Sequence, residues 1–455
     1  MRFILLCIAS LSRFDRPGVR DPDPFYPIVL QATRMLTLPV LRPRQRRSSS
    51  LPSHLVYANS TADVQAEVLR CADDGERLRP TGGTQQVTPL TACDDNRLSL
   101  SHMRGADLVQ IERRRLWVRA GTPLADVADW LMRHELMLGV RAEYPGQTVG
   151  GAVSTGTPGD LVQRIVSLRM VLADGRVEVY STERNAHLMD AMRVSLGALG
   201  IITHVELRCE TWDNRVLRRR EVEADELDEL LARPRIETGL QTVTWFACAP
   251  AVVECRLLPD GTSPPSLLDQ ARAACMEGFG SLALVRYAPH LPGGKRFSDR
   301  LGSRYARSPI RDVLPPRMTH AARKITYALP SAAAAEVLRS IRDLWNGLRF
   351  RSYAPLQLDF SPPDRAWLAP SQACDTVLIS FPYVRSTPKS FIEALCLLLE
   401  RNDGRPAWNG LPPDYIPTAA HYPRLQEFAE LRAEMDPHGV FLNPFLERLC
   451  GLPTR

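Results

Sequence analysis

Aromatic residues are scarce in this 455-residue chain, at 7%, and its ten cysteines form no CxxC pair and stand beside no histidine at ligand spacing. A zinc ribbon and a disulfide framework are thereby excluded, and the scattered thiols point to a reducing compartment. No apolar run is long enough for a membrane-spanning helix; the leading one, Phe3 to Leu11, is short and broken by Ser10. Also missing are GxxxxGK[ST], a GxGxxG after a strand, HExxH and GxSxG, which removes P-loop, Rossmann, zincin and α/β-hydrolase chemistry. Charge of one sign is missing from the body of the chain. Nine arginines and three aspartates in the first 50 residues account for the whole formal charge of +6. With no basic stripe in the remainder, nucleic acid is not an expected partner.

Apolar residues at 44% and charged residues at 24% describe an ordinary globular chain, long enough for about two to four domains. Residues 1–50 read as a basic, disordered leader. The expected location is cytoplasmic, the alternative being export or organelle targeting through that leader. From Leu51 the pattern becomes periodic. Ser60 at a cap position, Asp63 three residues on, and Val64, Val68, Leu69 and Ala72 at helical spacing predict a helix over 60–73. Leu116–Val118 reads as a strand, and Thr122-Pro123 as the cap and first residue of a helix whose face is Leu124, Val127 and Leu131. Alternation on both sides of Asp174-Gly175 predicts a hairpin over 164–181 with a type I′ turn. Residues 51–209 are thus expected to form one α+β domain. Beyond it, 222–234 reads as an acid-rich helix, 240–257 as strands, and 289–320 as a loop or disordered excursion. Strand, helix and strand follow near 324–330, 331–347 and 355–360, with further helices from Ser390 and over 422–435.

Two glycine-rich loops carry the chemistry. RPTGGTQQVTPL (79–90) contains Gly82 and Gly83, and GQTVGGAVSTGTPG (146–159) has five glycines among fourteen residues with hydroxyls at Thr148, Ser154, Thr155 and Thr157. Gly82 and Gly83 permit close backbone approach and the amides that follow them can face an anion, so that with the glycines and hydroxyls of the second loop the pair suits a pyrophosphate. A plain surface turn is the alternative reading for each loop alone.

In order, these loops, VRAGTPLADVADWL (118–131), IVSLRMVLADGRVEV and RVSLGALGIITHVEL (193–207) resemble the FAD-binding domain of vanillyl-alcohol-oxidase type flavoproteins. Among them the chain is similar to the sugar-1,4-lactone oxidases, which act on L-gulono- and D-arabinono-1,4-lactone. RAWLAP (365–370), ISFPY (379–383) and DPHGVFLNPFLERL (436–449) resemble the family's later segments. The resemblance implies an α+β fold: a two-part FAD-binding domain over 51–209, and an α+β substrate or cap domain over 210–455 whose end returns to the first domain. It implies FAD against Gly82, Gly83, Thr84, Gln85, Gln86, Gly150, Gly151, Ser154, Thr155 and Gly156, with Gly200 and Ile201 closing over it. It also implies hydride transfer from a small hydroxylated substrate to flavin N5, with oxygen or a carrier as electron acceptor. No metal is implied.

The departures from the family pattern are as specific. Gln85 stands where relatives with covalent flavin have a histidine, which implies noncovalent FAD. The second loop reads Gly156-Thr157-Pro158-Gly159 in place of Gly-Thr-His-Gly. The family's Pro-x-Glu-x-Arg strand aligns with Pro355 to Asp359, placing Gln357 and Asp359 at the acid and the cation. Its His-Trp-x-Lys tetrad becomes Ala407-Trp408-Asn409-Gly410, and its Glu-Tyr pair becomes Thr326-Tyr327. Gln357, Asp359, Trp408 and Tyr327 are therefore the expected catalytic positions. A Gln hydrogen-bonds a hydroxyl but cannot take its proton. A catalytically degenerate module that keeps the fold is the alternative. Each position also has a purely structural reading: Trp408 as a core anchor, Gln357 and Asp359 as a polar strand face. His421 and Tyr422 are the candidates for a replacement acid or base.

Overall fold

The computed structural model describes residues 54–83, 89–93, 95–140, 146–157, 159–211, 215–223, 226–232, 241–245, 251–259, 323–347, 356–383 and 387–453. The expectations for 1–50, for 289–320 and for Thr84, Gln85, Gln86, Pro158 and Pro355 lie outside these residues.

Capping chemistry sets the first elements. Strand β1 (His54–Tyr57) leads to helix α1 (Thr61–Asp74), where Ser60 Oγ accepts from the Asp63 amide at 3.2 Å and the Asp63 carboxylate accepts from the Asn59 and Ser60 amides. This reciprocal box satisfies amides that a helix start leaves open. Val64 and Val68 are buried as predicted, with Cys71 beside them; of the other predicted positions Ala72 is half-buried and Leu69 is exposed, because the buried stripe runs through 64, 68 and 71. Strands β2 (Leu78–Thr81) and β3 (Asn96–Ser99) complete a parallel three-stranded sheet in the order β1-β3-β2.

A second sheet is antiparallel, in the order β4-β5-β9-β7-β8. It comprises β4 (Ala106–Gln110), β5 (Arg115–Arg119), β7 (Ile165–Val171), β8 (Val177–Ser181) and β9 (Ile201–Arg208). Helices α2 (Leu124–Met132), α3 (Val149–Thr155), α4 (Gly159–Arg164) and α5 (Ala186–Met192) lie between these strands in sequence, and β6 (Leu136–Met137) pairs with β10 (Glu210–Thr211). Two local expectations are corrected. Thr122 does not cap α2: its hydroxyl bonds to the Gly105 amide and carbonyl, and Pro123 is the cap residue. The β7–β8 turn is not type I′: Leu172 and Arg176 pair, the Gly175 amide donates to Leu172 O at 3.0 Å, and within the turn Gly175 takes the left-handed conformation, at φ 78°. That is a type I turn closed by a left-handed glycine, a three-residue solution.

The third sheet has seven strands in the order β11-β13-β12-β15-β16-β14-β17. These are β11 (Arg215–Glu223), β12 (Gln241–Trp245), β13 (Ala251–Pro259), β14 (Arg323–Pro330), β15 (Leu356–Ser361), β16 (Thr376–Tyr383) and β17 (Arg405–Pro406). The acid-rich helix expected from 222 is shorter: Val222 and Glu223 end β11, and α6 spans only Leu227–Ala232. Helices α7 (Ser331–Gly347) and α8 (Lys389–Glu400) cover one face of the sheet, burying Val337, Ile341, Trp345, Leu395 and Leu399 with Tyr327, Leu358 and Ile379. Helices α9 (Leu425–Met435) and α10 (Pro444–Leu449) follow, and Phe428, Phe441, Phe445 and Leu446 join the core built by residues 58–209. The backbone continues that junction, since the Leu78 amide donates to Val440 O at 2.7 Å.

Candidate functional site

The two glycine loops meet. Gly82 ends β2 against the Thr148 side chain so closely that a Cβ there would fall within the hydroxyl. Thr148 is the cap of α3, its Oγ1 accepting from the Gly151 amide at 3.3 Å. Gly150 is buried with Ala120 beside it, a Cβ on it coming 2.8 Å from Ala120 Cβ, whereas Gly151 is exposed and Gly83 and Ser154 are half-buried. The two loops thus meet around the Thr148 hydroxyl with little side-chain bulk at Gly82 and Gly151, a glycine cradle of the kind that suits the diphosphate of a dinucleotide.

The second loop does not present its amides to that cradle. Val149 N donates to Thr122 O, Gly150 N to Ala120 O at 2.8 Å, and Gly151 N to Thr148 Oγ1. Gly150 and Gly151 contribute shape, not donors. Thr155 Oγ1 is likewise turned inward, donating to Gly151 O at 2.9 Å, and Gly156 is the left-handed end of α3, facing Val194 and Pro370. Gly200 and Ile201 do not close over a ligand with their side chains. A Cβ on Gly200 would lie 2.8 Å from Val171 O, and the Ile201 side chain is fully buried in the ladder of β9 with β7.

On the seven-stranded sheet, register decides which candidates share a face. Thr244 lies opposite Gln357, Gln357 opposite Ser380, and Ser380 opposite Thr326, so four neutral polar side chains form one row across β12, β15, β16 and β14. Thr326 Oγ1 and Ser380 Oγ are 3.0 Å apart and buried. Asp359 falls on the same face one step along, opposite Thr242 and Leu378. Alternation places Leu356 and Leu358 on the other face, under the helices.

Tyr327 is on that other face too. It is fully buried, and its hydroxyl donates to Glu400 Oε1 at 2.8 Å. Burial, with Cys396 next to it, drives its pKa far above the ordinary phenol value, so it stays protonated. Trp408 is a core anchor and not a platform: it is fully buried, stacks on Tyr422 at 4.6 Å between ring centroids, and donates from Nε1 to Leu368 O at 2.7 Å. Its turn nonetheless touches the polar face, because Ala407 N donates to Thr326 O and Thr326 N donates to Gly410 O, both at 2.8 Å. A Cβ on Gly410 would lie 2.6 Å from Thr326 Oγ1, so no side chain fits where the tetrad's lysine would be. Neither replacement candidate reaches this face as a free group. Tyr422 donates to Pro406 O, and His421 Nε2 is 2.9 Å from Tyr415 OH, with burial lowering the imidazole pKa.

Among the described residues no group of His, Cys, Asp or Glu has the arrangement of a metal site, and no helix is long and apolar enough to cross a membrane. The FAD binding domain family matches residues 52–181, and the D-arabinono-1,4-lactone oxidase family matches residues 291–449. The chain is 26% identical to L-gulono-1,4-lactone dehydrogenase of Mycobacterium tuberculosis, over 88% of this chain and 96% of that protein. It is 26% identical to alditol oxidase of a Streptomyces species, over 87% and 95% of the two chains. Its fold superposes on xylooligosaccharide oxidase from Myceliophthora thermophila with a TM-score of 0.61 at 17% identity, covering 94% and 99% of the chains. With the two family matches in the expected order and relatives aligned end to end, the chain is an FAD-dependent oxidoreductase on the vanillyl-alcohol-oxidase type fold, similar to the sugar-1,4-lactone oxidases and divergent from them.

Proposed function

We propose that this protein oxidises a CH–OH carbon of a small, sugar-like substrate, with FAD held noncovalently. Residues 51–209 are read as the cofactor domain and 210–455 as the cap, the segment after Asp436 returning to the first. The relatives named above are lactone and alditol enzymes, and the observation that carries the reading is the neutral row Thr244–Gln357–Ser380–Thr326 on the sheet face turned away from the cap helices. When bound, FAD supplies the hydride acceptor at N5. The chain's own part is recognition and orientation. The Gln357 amide donates and accepts toward substrate hydroxyls, and the Thr and Ser hydroxyls extend the same pattern. Asp359 is the carboxylate of that face able to hold a proton from the reacting hydroxyl. Noncovalent attachment rests on Gln85, since a primary amide forms no histidyl-type flavin bond. A cytoplasmic location is supported by the cysteines: Cys71, Cys93, Cys209, Cys374, Cys396 and Cys450 are free thiols. Oxygen or a carrier serves as electron acceptor.

A second reading, a degenerate module that binds FAD without turnover, is favoured by one observation: the acid and lysine of the family pattern are replaced together by the touching pair Thr326 and Gly410. The holoprotein mixed anaerobically with a panel of aldonolactones and alditols separates the two. Bleaching of the flavin absorbance by a panel member is the expected result, and a panel that leaves the oxidised spectrum unchanged contradicts the oxidase reading in favour of the module.

A further inference from the structure

Arg79 is a fully buried cation to which the lactone oxidase reading gives no task. It sits on β2 three residues before Gly82, and its guanidinium donates to four backbone carbonyls: Leu90 O at 3.0 Å, Gly197 O at 2.9 Å, Leu196 O at 2.7 Å and Phe441 O at 2.6 Å. Among the described residues no carboxylate lies within salt-bridge distance. Glu447 pairs with Arg77 instead, and the buried Asp436 carboxylate is taken by the Val440 and Phe441 amides at 2.8 Å each. Burial lowers the Arg79 pKa to about 10, which leaves it charged at neutral pH.

The carbonyls it gathers belong to three separate segments. Leu196 and Gly197 lie in a run that includes Val194, all three with left-handed φ of 56°, 66° and 56° for Leu196, Gly197 and Val194 respectively, an unfavourable conformation for Val and Leu that neighbouring bonds must impose. The run is fastened to α3 as well: Val194 N donates to Val153 O at 3.2 Å and Leu196 N to Ser154 O at 3.0 Å. One guanidinium therefore joins the strand that delivers Gly82 to the segment that holds the helix of the second glycine loop, and pins both to the C-terminal turn at Phe441.

We propose that Arg79 is a positioning residue for the cofactor: without touching FAD, it fixes the spacing of the two glycine loops and adds to the first of them a buried positive charge that Asp436 offsets only in part. At about 3.3 Å per strand residue its Cα lies about 10 Å from that of Gly82, and a buried charge at that range is little screened by salt. A lock of neutral residues would hold the loops equally well but would not distinguish a flavin with a diphosphate from one without.

The test uses the full chain and two flavins, FAD and riboflavin, titrated by fluorescence quenching. Arg79→Gln is expected to weaken FAD by about ten- to a hundredfold, the effect of a lost charge at this distance in a medium of intermediate dielectric, while riboflavin affinity changes by less than about threefold. Arg79→Lys keeps the charge and loses bonds, so its preference for FAD over riboflavin stays near the wild-type value. Asn443→Ala, which removes donors to Pro89 O, Leu90 O and Ala92 O without changing charge, is expected to lower the melting temperature and leave that preference intact. Equal loss of FAD and riboflavin in Arg79→Gln, or unchanged FAD affinity, overturns the proposal. If Arg79→Gln does not fold, a collapse of the preference in Arg79→Lys overturns it instead. A wild-type chain that binds neither flavin contradicts the cofactor assignment, a separate outcome.

Discussion

The glycine cradle and the polar face of the cap sheet have diverged to different degrees from the same family pattern. In the cradle the constraint is steric: Gly82 has the Thr148 hydroxyl where a side chain would begin, and Gly150 has Ala120. Nothing larger fits, whatever the substrate. On the cap sheet Gln357 and Asp359 are half-buried, so the constraint on them is chemical more than steric. By the resemblance, the touching Thr326 and Gly410 stand for an acid and a lysine, and Gln357 and Asp359 for an acid and a cation, beside the buried Leu356 and Leu358. Glycine is held where a neighbouring side chain already fills the position of its Cβ.

The comparison can be broken most forcefully at Trp408, a pocket residue by alignment and a core residue by packing. Trp408→Ala is expected to cost about 3–5 kcal/mol of stability, read as a fall in denaturation midpoint. A mutant with native stability and only a raised KM would return Trp408 to the pocket. Gly82→Val sharpens the steric side: its side chain would meet Thr148, and FAD binding is expected to weaken by roughly ten- to a hundredfold, measured by flavin titration. Gln357→Ala probes the chemical side. Loss of a neutral hydrogen bond of about 0.5–1.5 kcal/mol predicts kcat/KM lowered by roughly two- to tenfold, with FAD affinity unchanged. A change in FAD affinity would mean that the two regions are not separable.

The smallest effect concerns His204 on β9, whose Nε2 lies 2.7 Å from Asp107 Oδ2. Burial holds its pKa below the ordinary value, and Asp107 offsets this only in part. The unfolded chain then binds a proton more readily than the folded one, so stability falls as pH drops from about 6.5 toward the lowered folded value. His204→Gln is expected to flatten that slope in denaturant melts between pH 7 and 5.

Much of residues 54–209 was legible because the signals there are local. The Ser60–Asp63 box and the Asp174-Gly175 reversal are each written within a few residues, whereas the apolar face of α1 was read only in part, Leu69 lying exposed beside the buried Val64, Val68 and Cys71. The turn type was not, since it depends on the pairing of Leu172 with Arg176. In the cap, alternation correctly grouped Gln357 with Asp359, and the same period of two separates Tyr327 from its neighbour Thr326 and sends it to the helix side, a consequence the family alignment obscured. The second glycine loop was read as part of a pyrophosphate site with no helix in it, but it forms α3, whose first amides are taken by the carbonyls of Thr122 and Ala120, distant in sequence. Arg79 was invisible for the same reason: its four acceptors come from segments up to 362 residues away.

The central claim, that a cradle of family shape holds FAD without a covalent bond, is tested most directly by acid precipitation of the purified, FAD-reconstituted chain. The account predicts a yellow protein whose flavin absorbance passes entirely to the acid supernatant. Colour retained in the pellet, or a protein that stays colourless with excess FAD, would contradict it.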